Sequence, residues 1–288
     1  MSLRTMLLTV VTLCGFAANS VLCRLALGSK SIDPVSFTTF RLLAGAVMLA
    51  LIVVLPTWKR QINLGGNLVS GLCLLSYAVA FSLAYVSLPA GTGALILFST
   101  VQFTMFRDGI VRGERLSALA WVGVGIALSG LIWLVSPGVH APSMMGVVLM
   151  VVAGISWGTY SIRGRTAGDA AMNTAGNFIR AVSFCSMILL VSLFWMKLSF
   201  YGVTLALISG AVTSGPCYVA WYMVLPKLPS SIAAVVQLSV PAIAALGGVL
   251  FLGEMASIRL WLSTLLCLGG VATAIWASHN VKKGQTAN

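Results

Sequence analysis

The chain has 288 residues, 59% hydrophobic and 8% charged, with a mean hydropathy of +1.03 and a formal net charge of +12. Soluble domains are about half apolar and a quarter charged, so a water-soluble fold is excluded and most of this apolar surface must meet lipid. The charge is not a nucleic-acid footprint, because no soluble scaffold or clustered basic face stands behind it; it reads as topogenic charge beside membrane spans.

A spanning helix needs about 20 mostly apolar residues, and the chain offers ten such runs. They lie near residues 6–27, 36–56, 67–87, 91–109, 117–136, 144–163, 173–196, 201–223, 231–252 and 258–278. The first run has signal-peptide features in Arg4, Ala17 and Ala18, but its counterpart in the second half of the chain makes it a retained helix. The breaks are short, and all five acidic residues, Asp33, Asp108, Glu114, Asp169 and Glu254, fall in or beside them. Prolines are sparse inside the runs; Pro241 predicts a kink in the ninth span only.

Lysine and arginine in the short loops set the orientation. With the N-terminus cytoplasmic, that side holds Arg4, Lys59, Arg60, Arg107, Arg112, Arg115, Arg163, Arg165, Lys227, Lys282 and Lys283; the other holds Lys30, Lys197 and Arg259. Both termini are then expected inside a bacterial-type inner (plasma) membrane. The six cysteines sit within apolar runs without CxxC pairs, and the two histidines, His140 and His279, lie in a loop and near the C-terminus. That pattern supports neither a metal site nor a catalytic triad, and implies no cofactor.

The chain repeats itself. Gly15, Arg24, Arg41, Ser70 and Gly71 recur as Gly154, Arg163, Arg180, Ser209 and Gly210, at an offset of 139. One residue slips in, and Leu88, Pro89, Ser99, Gly113, Glu114, Ser117, Trp121 and Gly130 recur as Leu228, Pro229, Ser239, Gly253, Glu254, Ser257, Trp261 and Gly270 at an offset of 140. Each copy holds five spans, and an odd number inverts the second copy in the membrane. The expected architecture is an all-α membrane protein of ten transmembrane helices, as two inverted five-helix repeats over residues 1–140 and 141–288, around a central cavity.

A Leu-Pro break, an apolar span and Gly-Glu-x-x-Ser, twice over nearly the whole chain, resembles the drug/metabolite transporter superfamily, in particular its ten-span EamA-type members. The motifs read Leu88-Pro89 with Gly113-Glu114-Arg115-Leu116-Ser117, and Leu228-Pro229 with Gly253-Glu254-Met255-Ala256-Ser257. Members often carry a proline before Gly-Glu; Pro241 fits, whereas Val101 stands in register in the first half. The run Gly93-Ala94-Leu95-Ile96-Leu97-Phe98 with Val101-Gln102 is similar to the aromatic amino acid exporters. The resemblance implies a small-molecule solute in a lipid bilayer, and the dearth of His, Asp and Glu weighs against an enzyme.

Inverted-repeat transporters bind solute near the midplane, so polar and aromatic residues midway along spans are the substrate-binding candidates. These are Tyr77, Phe81, Phe98, Ser99, Gln102, Trp157, Tyr160, Tyr218, Gln237 and Ser239. The bland alternative makes Tyr85, Tyr160, Trp221 and Tyr222 interfacial anchors, and lets neighbouring helices satisfy Gln102 and Gln237. Arg24, Arg41 and Arg180 either snorkel or serve as gating or carboxylate-attracting groups, with Arg41 toward the outer leaflet and Arg180 toward the inner. Glu114 and Glu254 read as charges favouring the helices that begin after Ser117 and Ser257. Function is then expected to be alternating-access export or facilitated movement of small metabolites, foremost aromatic amino acids. Sugar-nucleotide or organic-cation transport, a channel, a lipid scramblase and a membrane enzyme are the alternatives.

Overall fold

The computed structural model describes residues 3–57, 65–111, 113, 117–137, 141–166, 168–228, 236–255 and 257–286. Lys59, Arg60, Arg112, Glu114, Arg115, His140 and Pro229 lie outside the described residues, as do the side chains of His279, Lys282 and Lys283.

The described chain is helical, in the order α1 Leu3–Gly28, α2 Pro34–Thr57, α3 Leu68–Tyr85, α4 Ala90–Val111, α5 Ala118–Val135, α6 Met144–Gly164 and α7 Ala170–Ser192. It continues as α8 Phe200–Lys227, α9 Ser239–Leu252 and α10 Ile258–Thr286. Helices α1 to α8 are each long and apolar enough to cross a membrane, while α9 and the Ile258–Ala274 stretch of α10 are shorter apolar helices. Large apolar side chains such as Val11, Ile132, Trp133, Val191, Phe251 and Leu265 stand on the outer surface, where a soluble protein would carry charge. The protein is a multi-pass membrane protein.

Short polar residues start the helices where the breaks were expected. Asp33, Asn67, Ser117, Ser143, Asp169, Ser199 and Ser257 each accept a hydrogen bond from the backbone N–H three residues on. Ser117 and Ser257 are thus caps, as read from the motifs.

Two breaks within helices shape the centre. Pro241 lies in the first turn of α9, and the chain turns at Leu238 just before it. The expected restriction of distortion to the ninth span does not hold. In α8, residues Ser209–Ser214 form a π-helical segment ahead of Pro216, since a proline lacks the N–H that the regular ladder requires four residues downstream. The wider turn brings Ser209, Thr213 and Ser214 to one side, where all three hydroxyls donate to Asn19 Oδ1 of α1 at 2.6, 3.3 and 3.4 Å.

The helices pair in a reciprocal way. Helix α3 packs on α6 and α8 on α1; α4 packs on α6 and α9 on α1; α2 meets α7, and α5 meets α10. Glycine permits the closest of these approaches: a Cβ on Gly123 would lie 2.5 Å from the Gly270 carbonyl oxygen, and one on Gly270 would lie 2.5 Å from the Gly123 carbonyl oxygen.

Candidate functional site

Four helices, α1 and α3 from the first half of the chain and α6 and α8 from the second, deliver aromatic side chains to one place, the seam between them. Phe16 of α1, Tyr77 and Phe81 of α3, Trp157 of α6 and Tyr218 of α8 are all buried. Their rings touch: Trp157 lies 4.6 Å from Tyr218, 5.1 Å from Tyr77 and 5.4 Å from Phe16 between centroids. Phe98 stacks on Phe16 at 6.4 Å. The ladder runs on from Trp157 to Tyr160 at 5.5 Å and from Tyr160 to Tyr222 at 5.1 Å. Edge and offset contacts of this kind add to the area buried and fix ring orientation.

At the end of this ladder away from Tyr222 sits Arg41. Its side chain is only 1% exposed, so it does not snorkel. Nε donates to Ser214 Oγ at 3.0 Å, and Nη2 donates to the Tyr218 hydroxyl at 2.9 Å and the Tyr77 hydroxyl at 3.4 Å. Its Cζ lies 5.4 Å from the Tyr77 ring centroid and 5.1 Å from that of Phe81. The π-helical segment of α8 is what aims Ser214 at the guanidinium. Arg41 is therefore buried among the hydroxyls and rings of this cluster.

The other two arginines serve opposite ends of the bundle. Arg24, near the end of α1, donates from Nε to Glu254 Oε1 at 3.0 Å and from Nη1 to the Tyr85 and Val86 carbonyls at 3.1 and 3.0 Å. Glu254 Oε2 accepts from the Ala90 N–H at 2.8 Å. Glu254 thus does favour a helix N-terminus, but that of α4, not of the helix following it as expected. The cause is Gly253, whose left-handed φ of 65° ends α9 and folds the Glu254 N–H back onto the Gly248 carbonyl at 3.1 Å. Gly248 leaves room, since a Cβ there would lie 2.5 Å from Glu254 Oε2. Arg180 reaches the opposite end, donating from Nη1 to the Gly65 and Gly176 carbonyls at 3.1 and 2.8 Å.

That opposite end is open. A cavity of about 450 Å³ is lined by Asn67, Ser70, Arg163, Asn173, Asn177 and Tyr222, among others. Arg163 spans its wall, donating to Ser70 Oγ and Asn67 Oδ1, both at 3.0 Å. This cavity has polar walls and lies at one end of the bundle, while the described aromatic rings pack against one another deeper in. Tyr222 belongs to both, so the aromatic ladder leads from the cavity to Arg41.

Of the predicted binding residues, Tyr77, Phe81, Phe98, Trp157, Tyr160 and Tyr218 come together here. Ser99 instead faces the Cys267 thiol of α10, and Ser239 donates to the Val236 carbonyl of its own chain at 2.7 Å. Gln102 and Gln237 are fully buried. Tyr85, Tyr160, Trp221 and Tyr222 are 4% exposed or less, which overturns their reading as interfacial anchors. Sequence reasoning missed Phe16, Asn19 and Ser214. A lone Asn among the apolar residues of the first span and the Ser209/Thr213/Ser214 spacing before Pro216 were the available signals.

The chain is similar to known proteins along most of its length. The model of the EamA-like transporter family matches residues 3–136 and again residues 144–276. An uncharacterized protein of Pseudomonas aeruginosa is 47% identical over 93% of both chains. The uncharacterized transporter YwfM of Bacillus subtilis is 26% identical over 91% of both chains. The uncharacterized inner membrane transporter YedA of Escherichia coli is 26% identical over 48% of this chain and 46% of its own. A solved crystal structure superposes with a TM-score of 0.66 at 17% identity, covering 94% of this chain and 98% of that one, and supports the fold alone.

Proposed function

Because the chain belongs to the EamA-like transporter family, we propose that it exports aromatic amino acids across an inner membrane by alternating access at the aromatic seam. In this reading the ten helices are ten spans in two inverted repeats, residues 1–140 and 141–288. The reciprocal helix pairing and the twofold family match favour it. The Arg163 end is cytoplasmic, following the excess of lysine and arginine on that side.

The observation that carries the reading is the cluster of Phe16, Tyr77, Trp157 and Tyr218, drawn from both halves and joined by Tyr160 and Tyr222 to the polar cavity. Rings that now stack on one another would part and stack on a planar solute, with little loss of contact. The Arg24–Glu254 contact closes one end while the other is open, as alternating access requires of any single state. The described carboxylates stand at helix ends, which favours exchange or facilitated movement over a carboxylate proton relay.

The test is counterflow in proteoliposomes loaded with tryptophan, phenylalanine or tyrosine, against a sugar nucleotide and an organic cation. The expected result is saturable, trans-stimulated uptake of the aromatic amino acids, abolished in Trp157→Ala. Uptake of none of the three by folded protein would refute the reading. Non-saturating flux without trans-stimulation would make the protein a channel.

A further inference from the structure

Among the described residues, no carboxylate pairs with the positive charge of Arg41. A guanidinium has five N–H groups; those of Arg41 reach Ser214, Tyr218 and Tyr77, and buried Nη1 has no hydrogen-bond partner. Glu254 pairs with Arg24, not with Arg41, at one end of the bundle. The other described carboxylates stand at helix ends: Asp33 and Asp169 cap α2 and α7, and Asp108 is in the last turn of α4.

Burying an arginine inside a membrane protein is costly, and the usual compensation is a buried anion. Hydroxyls and ring faces offset only part of that cost, because they are dipoles and quadrupoles rather than charges. Beside Arg41, Trp157 Nε1 is a second buried donor with no partner. Both unpartnered groups are N–H donors, and the side chains that carry them share Tyr77 and Tyr218 as neighbours. The 3.4 Å bond to Tyr77 is the weakest of the three that hold the guanidinium, so an incoming anion displaces it at least cost.

We infer that Arg41 is the anion receptor of the transport site, and that the solute class is an aromatic compound bearing a carboxylate, in which an amino group is dispensable. A carboxylate takes the Nη edge of Arg41 in a fork while its ring enters between Trp157 and Tyr218. An ammonium group finds rings and neutral oxygens there but no counter-charge. Aromatic amino acids are then one case within a broader class of aryl carboxylates, and organic amines are excluded. The inference rests on the transport reading for the route of entry, not for binding itself.

The experiment measures binding to purified protein by calorimetry and by ligand-dependent thermal shift, with three matched probes: indole-3-propionate, tryptophan and tryptamine. Indole-3-propionate and tryptophan are expected to bind and raise the melting temperature, and tryptamine to bind at least about tenfold more weakly, as loss of one charge-assisted hydrogen bond requires. Arg41→Met is expected to lose carboxylate binding, yet to melt no lower than the parent without ligand, because it removes an unpaired buried charge. A purely structural Arg41 predicts the reverse, a lower melting temperature with the selectivity intact. Equal binding of tryptamine and indole-3-propionate, or no carboxylate binding at all, overturns the inference through the unaltered protein alone. Carboxylate binding without counterflow leaves it standing and defeats the transport reading; counterflow of amines and carboxylates alike does the opposite.

Discussion

Neutralising Glu254 tests what holds one end of the bundle shut. Its carboxylate joins three elements, since Oε1 accepts from Arg24 of α1 and Oε2 from the first N–H of α4, while its own backbone ends α9. Both side chains are mostly shielded, 23% exposed for Arg24 and 16% for Glu254, so solvent screening is incomplete. Hydrogen bonds to charged groups are worth about 1.5–3 kcal/mol each, and Glu254→Gln keeps one neutral acceptor while losing the ion pair. A net loss of about 1.5 kcal/mol from the closed state shifts the closed-to-open ratio about tenfold. Cys23 is the reporter, because it is fully buried and lies close to both Arg24 and Arg41. With the other five cysteines replaced, Glu254→Gln should raise the rate of Cys23 modification by a membrane-impermeant maleimide about tenfold, with folding checked by size-exclusion profile. Unchanged labelling of a folded variant would show that the Arg24–Glu254 contact does not hold this end closed.

Three further outcomes follow from packing and topology. Gly123→Leu should separate α5 from α10 and lower the melting temperature, whereas Gly125→Ala, on a face with nothing within 4 Å of an added Cβ, should leave it unchanged; equal effects would refute the close-approach reading. Gly210→Ala drives a Cβ into the Arg41 carbonyl and should cost about 1–3 kcal/mol, seen as a lower melting temperature that small α2 repacking cannot relieve. Cysteines placed at Ser31 and at Gly66 should label from opposite sides of the membrane, Gly66 from the cytoplasm; labelling from one side would break the assigned topology.

The membrane character and the helix starts were legible in the sequence because each is a local property. Twenty apolar residues need no neighbour to show that they belong in lipid, and Ser117 or Ser257 caps its own helix whatever surrounds it. Tyr77 and Trp157 were singled out because an aromatic midway along a span is too far from the interface to serve as an anchor there, and Tyr218, toward the end of its span, joins them through ring contacts. Where the reading failed, the deciding partner lay far away in sequence. Position along a span made Trp221 and Tyr222 anchors, yet burial depends on which neighbour covers that face.

The arginines show the division most clearly. Sequence by itself determined that Arg24, Arg41 and Arg180 stand within or at the ends of apolar helices, and that Gly253 and Glu254 form a repeated pair. Only the tertiary structure decided that Arg24 meets Glu254 across 230 residues, that Arg180 bonds backbone carbonyls, and that Arg41 is held at the seam by hydroxyls and ring faces. The physical reason is that a charge in a low-dielectric interior is governed by the few groups within about 4 Å of it, and helix packing, not chain order, chooses those groups.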